Sequence, residues 1–167
     1  METFSKNIYK LPVRKEQLEG IVTKQTMLSG ELKSHVKNFS NAIDFLVPMD
    51  GQAIAALDGV VTSIKDDDKV GGPDLKYKWG GNYVTLKHAN EEFSVYLHLK
   101  YKGVVVKVGD NVKQGQLLGY VGMTGYTHRP HLHFEVFIWP SPSATPHERE
   151  TIKVRFEEFE NIYDVGK

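Results

Sequence analysis

Between Ala42 and Phe156, apolar residues of this chain recur at every second position in short runs separated by glycine-bearing turns. No other feature constrains the fold as tightly. Side chains alternate between faces along a strand, whereas a helix returns to the same face only after three or four residues. Ile152, Val154 and Phe156 alternate in one run; Phe93, Val95, Leu97 and Leu99 alternate with Ser94, Tyr96 and His98 in another. In residues 42–48, Ile43 and Phe45 face one way, Ala42 and Asp44 the other. Asp58-Gly59 reads as a hairpin signal before Val60-Val61-Thr62-Ser63-Ile64, and residues 82–88 read as a further strand. No segment sustains a period of 3.6, and there is no internal repeat. The expected fold is all-β, an antiparallel sandwich or barrel.

The 167 residues suit one domain able to bury a single core. Residues 1–30 are expected to form an N-terminal extension packed on it, 31–140 the site-bearing core, and 141–167 a loop and last strand. Within the extension, Ile21-Val22-Thr23 and Thr26-Met27-Leu28 read as short strands. The net charge of zero removes bulk electrostatic attraction to nucleic acid or an anionic membrane. The absence of cysteine removes thiol catalysis, thiolate zinc sites and disulfides. No run approaches the roughly 18 apolar residues of a membrane span, and no export leader opens the sequence, so it reads either as cytoplasmic as written or as a chain whose leader has been removed. A monomer is expected. The polar, glycine-rich stretch 65–81 reads as a long loop of the kind that often rims a site, with Asp66, Asp67 and Asp68 solvated.

The chemistry concentrates in Thr127-His128-Arg129-Pro130-His131-Leu132-His133-Phe134-Glu135-Val136-Phe137. In a strand, His131, His133, Glu135 and Phe137 share one face, and Leu132, Phe134, Val136 and Ile138 share the other, which should lie on the core. Two adjacent imidazoles make a rigid pair of nitrogen donors for a metal, or one ligand plus one acid/base group. The bland alternative is a pair of surface histidines on a half-exposed strand. Asp44 inside a hydrophobic strand is costly to bury unless it is paired, capped or metal-bound. His98 is read on the polar face of its strand, beside Tyr96.

Taken together these segments resemble the lysostaphin-type (LytM-like) zinc metalloendopeptidases. The resemblance is carried by Ala42-Ile43-Asp44-Phe45 with Gly51, Ala56 and Asp58-Gly59-Val60-Val61; by Tyr96-Leu97-His98-Leu99; by residues 108–116; and by Gly122-Met123-Thr124-Gly125 leading to Pro130-His131-Leu132-His133-Phe134. Order and spacing hold from about Leu11 to Phe156. It implies the all-β fold of that family and a single Zn²⁺ held by Asp44 and His133. His98 and His131 would be the catalytic imidazoles. Near the cleft so defined, Tyr96 and Tyr126 are read as substrate contacts, with packing the equal alternative. The family's usual first zinc histidine would stand at residue 40, which is Ser40 here. Ser34-His35 resembles a variant with that histidine further upstream, which makes His35 the expected third ligand; His88, His128 and His147 are the reserves. Met123 stands where a small or polar residue is usual.

What the resemblance implies is hydrolysis of a peptide bond, in the stem or cross-bridge peptides of peptidoglycan, in a periplasmic or extracellular setting. The competing reading, motivated by Ser40, is a member without catalysis that binds cell wall or a partner enzyme. A cupin-like metal enzyme is a third, disfavoured because positions 137 and 138 are Phe137 and Ile138 and Glu135 lies too close to the histidine pair.

Overall fold

The structure is a computed structural model that describes residues 3–24, 26, 39–145 and 148–165. Its strands are β1 (Phe4–Tyr9), β2 (Gly20–Thr23), β3 (Ile43–Leu46), β4 (Gln52–Ile54), β5 (Gly59–Lys65), β6 (Gly71–Gly72), β7 (Asn82–Lys87), β8 (Phe93–Val104), β9 (Asn111–Val112), β10 (Leu117–Val121), β11 (Gly125–Tyr126), β12 (His131–Ile138) and β13 (Glu150–Phe156). Among the described residues there is no α-helix. The all-β expectation holds. The second strand read in the extension, Thr26-Met27-Leu28, lies largely outside the described residues, with Thr26 itself in a turn.

One sheet takes the path β1-β13-β12-β8-β7-β5-β9, and it branches. The far half of β12 pairs with β13, while its histidine-bearing half pairs with β3. On its other side β12 runs along β8. The register sets His133 opposite Asp44 on β3 and opposite Leu97 on β8. Three strands that are remote in sequence thus bring Asp44, His133 and the Leu97-His98 step into one row.

The core lies on the opposite side of these strands. Phe134 sits in its middle, with Tyr9, Phe45, Tyr96 and Phe156 around it at ring-centroid distances of 5.3–6.4 Å. Leu132, Val136, Ile43 and Leu99 complete this face, each fully buried. Burying a large apolar side chain contributes about 1.5–3 kcal/mol, so the alternation of β12 is enough to seat it one way up. A slip by one residue would turn the histidines into the core.

Sequence periodicity missed β1, which pairs in parallel with β13. Its buried residues are Ser5 and Tyr9 while Phe4 and Ile8 face solvent, so no apolar alternation marks it. It is tied down by polar contacts instead. The buried Glu92 carboxylate accepts hydrogen bonds from the Lys6 and Asn7 amides and, at 3.0 Å, from the Tyr9 hydroxyl.

The alternation read for β8 fails at one point. Leu97 pairs with Tyr83 while Leu99 pairs with the next residue, Asn82, so His98 is an extra residue in the ladder. His98 has φ +70°. A bulge of this kind re-aims the side chains that follow it. Tyr96, paired with Phe134 ahead of the bulge, faces the core, and the added residue turns His98 to the site.

Candidate active site

Four of the side chains singled out in the sequence converge at the mouth of the β3–β12–β8 row. One ring nitrogen from each of His98, His131 and His133 lies within 4.8 Å of the others. Asp44 Oδ1 is 3.0 Å from His133 Nδ1 and 3.6 Å from His131 Nε2. All three imidazoles are buried, yet they line a cleft with Asp44, Tyr126 and Arg129.

Each ring is oriented by its other nitrogen. His98 Nδ1 is 2.7 Å from the Thr124 carbonyl, and His131 Nδ1 is 2.8 Å from the Arg129 carbonyl. A carbonyl only accepts, so both Nδ1 atoms carry the proton and donate. The lone pair of each neutral ring is then on Nε2. Burial, followed by the neighbouring His131 and His133, holds His98 well below the ordinary histidine range. It is a neutral imidazole at pH 7.

His133 is in the opposite situation. Burial alone would lower its pKa, but Asp44 against one nitrogen and Glu135 near the other push it up to about 9. Glu135 is fully buried, with Oε2 3.6 Å from His133 Nε2. The point between Asp44 and His133 is thus one where a positive charge is strongly favoured. A carboxylate oxygen and an imidazole nitrogen are suitable zinc donors, and two donors on adjacent corners of a tetrahedron with bonds of roughly 2.0–2.1 Å stand about 3.3 Å apart. The residues present fit such an ion. His35, the expected third ligand, lies outside the described residues, as does His147. His88 is excluded as a substitute, because it is buried elsewhere between the Asp58 carbonyl and Ser94 Oγ.

The strained backbone at His98 is held from one loop. The His98 carbonyl accepts from the Gly122 amide at 2.8 Å, and Thr124 Oγ1 donates to the Leu99 carbonyl at 2.7 Å. The same hydroxyl accepts from the Asn82 amide at 2.9 Å. Next in the chain, β11 pairs in parallel with β6, which seats the 65–81 loop beside Tyr126 at the rim.

Tyr126 lines the cleft. Tyr96 does not: it is fully buried, its hydroxyl accepting from the Ala56 amide at 2.9 Å. As a substrate contact Tyr96 is corrected by the bulge, which alternation alone cannot foresee. Thr124 and Arg129 act on the imidazoles through backbone carbonyls, for which a sequence carries no signal. Glu135 had one, its shared face with His131 and His133. Its partner Arg149, with Nη2 2.5 Å from Glu135 Oε1, had none.

Residues 38–145 match the model of peptidase family M23. The chain belongs to peptidase family M23. Among curated relatives, this M23 chain is 34% identical over 111 residues to the peptidoglycan DD-endopeptidase ShyC of Vibrio cholerae serotype O1, covering 66% of this chain and 22% of that protein. It is 33% identical over 102 residues to the peptidoglycan DD-endopeptidase ShyA of the same organism, covering 61% of this chain and 21% of that protein. The chain thus spans about a fifth of the length of these relatives. Among solved structures, a zinc containing peptidase from Vibrio cholerae superposes with a TM-score of 0.56 at 29% identity, over 78% of this chain and 36% of that one. The antimicrobial peptidase lysostaphin from Staphylococcus simulans superposes with a TM-score of 0.50 at 26% identity, over 70% of this chain and 43% of that one. No helix among the described residues is long and apolar enough to cross a membrane.

Proposed function

We propose that this M23 domain is a zinc-dependent endopeptidase that cuts peptide bonds in the stem or cross-bridge peptides of peptidoglycan, with Asp44, His133 and His35 holding the metal. The observation that carries this reading is the 3.0 Å approach of Asp44 Oδ1 to His133 Nδ1 beside two further imidazoles. The substrate class is supported by the relatives named as peptidoglycan DD-endopeptidases. Such a substrate lies outside the cytoplasmic membrane, which implies a periplasmic or extracellular site of action.

Zinc, when bound, supplies a Lewis acid that polarises the scissile carbonyl and lowers the pKa of water to about 7. The protein's own groups then move protons. His98 is neutral with its lone pair on Nε2, so it can take a proton from the attacking water. His131, with its ring centroid 4.7 Å from that of His98 and its Nε2 3.6 Å from the Asp44 carboxylate, can take over that proton and pass it to the leaving amine. Tyr126 and the exposed Arg129 border the cleft and would contact the substrate backbone or its charged groups.

Ser40, where the family's usual first zinc histidine would stand, favours a second reading, a domain that grips the wall without cutting it. Zinc content and hydrolysis of purified peptidoglycan, measured for wild type, His35→Ala and Ser40→Ala, decide between the two. Stoichiometric zinc and cleavage, both lost only in His35→Ala, support the enzyme. Absence of cleavage by zinc-loaded wild type would establish the binding module.

A further inference from the structure

We propose that Glu135, with Arg149 as its counter-ion, is a positioning residue that sets the orientation and tautomer of His133 for metal binding. This rests on the reading of His133 as a ligand. Glu135 follows His133 by two residues on β12 and so shares its face. It is fully buried, and neither carboxylate oxygen has a hydrogen-bond partner among the described residues. What it has are charges: Arg149 Nη2 at 2.5 Å from Oε1 and His133 Nε2 at 3.6 Å from Oε2.

As a stabilising device this arrangement is poor. Replacing a buried ion pair with apolar groups of similar volume is often neutral or favourable, and neighbouring Phe137 and Phe93 already supply stacked rings here, 5.2 Å apart.

A neutral imidazole has one N–H. When a cation displaces the second proton of His133, the Glu135 oxygen beside Nε2 favours the remaining N–H on that side, which leaves the Nδ1 lone pair facing Asp44 Oδ1, 3.0 Å away. Two electron-pair donors facing each other at that distance repel unless a cation lies between them. By keeping the ring's N–H on the Nε2 side, the Glu135 oxygen suits the Asp44–His133 contact to a cation in place of the proton. Arg149 balances the second carboxylate, and its guanidinium lies 4.9 Å from the ring centroid of Phe39, just before the strand that carries Asp44.

The test is a zinc titration of metal-stripped protein against a chromophoric chelator, with melting of the metal-free forms measured in parallel, on wild type, Glu135→Leu, Glu135→Gln and the double variant Glu135→Leu/Arg149→Met. Loss of a partner that orients a metal ligand commonly weakens metal affinity by about 10–100-fold. That loss is expected in Glu135→Leu and, despite metal-free melting close to wild type, in the double variant. Glu135→Gln keeps an oxygen beside His133 Nε2 and should retain most of the affinity. Wild-type affinity in the double variant, or a loss in Glu135→Gln equal to that in Glu135→Leu, overturns the proposal. Wild-type protein that takes up no zinc sinks the metal reading itself, a result distinct from both.

Discussion

Tyr96 and His98, two residues apart on β8, point to opposite sides of the sheet. Between them Leu97 pairs with Tyr83 while Leu99 pairs with Asn82, so His98 is accommodated as an added residue at φ +70°. A left-handed conformation costs a non-glycine residue on the order of 1–2 kcal/mol. Here it is sustained by the Gly122 amide on the His98 carbonyl and by the Thr124 carbonyl on its ring.

Tyr96→Phe separates the two sides of the strand. It leaves the Ala56 amide without its acceptor in the core, and an unsatisfied buried donor costs about 1–3 kcal/mol. The expected result is a lower melting temperature with kcat/KM on a peptide substrate within about twofold of wild type. A raised KM with unchanged melting would return Tyr96 to the cleft.

Metal content distinguishes ligands from proton carriers. Asp44→Ala and His133→Ala should abolish zinc binding in equilibrium dialysis. His98→Ala should keep the zinc and lose about 10²–10⁴-fold in kcat, the usual worth of a general acid or base. If zinc were instead retained by Asp44→Ala and lost by His98→Ala, the ion would belong to the three imidazoles.

Gly122→Ala tests the loop that supports the bulge. An added Cβ would meet the Lys100 Cα at 2.6 Å and its backbone nitrogen at 2.8 Å, so β8 or the loop must move. Overpacking of this kind costs about 1–3 kcal/mol. Activity of the folded fraction should fall as His98 shifts. Gly109→Ala, at φ +94° with nothing within 4 Å, should lower melting through backbone strain alone and leave activity intact. Equal activity losses in the two variants would disconnect the loop from His98.

His88 gives a pH prediction away from the cleft. Burial lowers its pKa below 6.5, against the weaker opposing pull of the Asp58 carbonyl and the Glu92 and Asp58 charges. Between its folded pKa and about 6.5 the unfolded chain binds a proton that the folded one refuses, so stability falls as pH drops below about 6.5. Melting temperatures of wild type and His88→Gln from pH 7.5 to 5.5 should differ in slope, with the variant flatter. Parallel curves would mean that His88 accepts its proton without cost.

Local pattern made much of this molecule readable in advance. A period of two, interrupted by glycine turns, implied an all-β chain, because alternate burial is what a pleated strand imposes on its side chains. The same period put Leu132, Phe134 and Val136 on the core and His131, His133 and Glu135 together on the other face. An aspartate in the apolar run 42–48 flagged its own unusual cost. What the sequence could not reveal is what tertiary contacts create. The insertion of one residue at His98 depends on pairing with β7 and on the Gly122 and Thr124 contacts, so alternation alone puts Tyr96 on the wrong face. The parallel pairing of β1 with β13 is held by a buried carboxylate and not by apolar alternation. The ion pair of Glu135 with Arg149 joins residues whose spacing carries no regular signal. Sequence decided which face each regular strand buries, since that is a local consequence of backbone geometry. Only the folded sheet decided that Asp44, His98 and His133 share one row, since strand register between distant segments is set by the packing of the whole core.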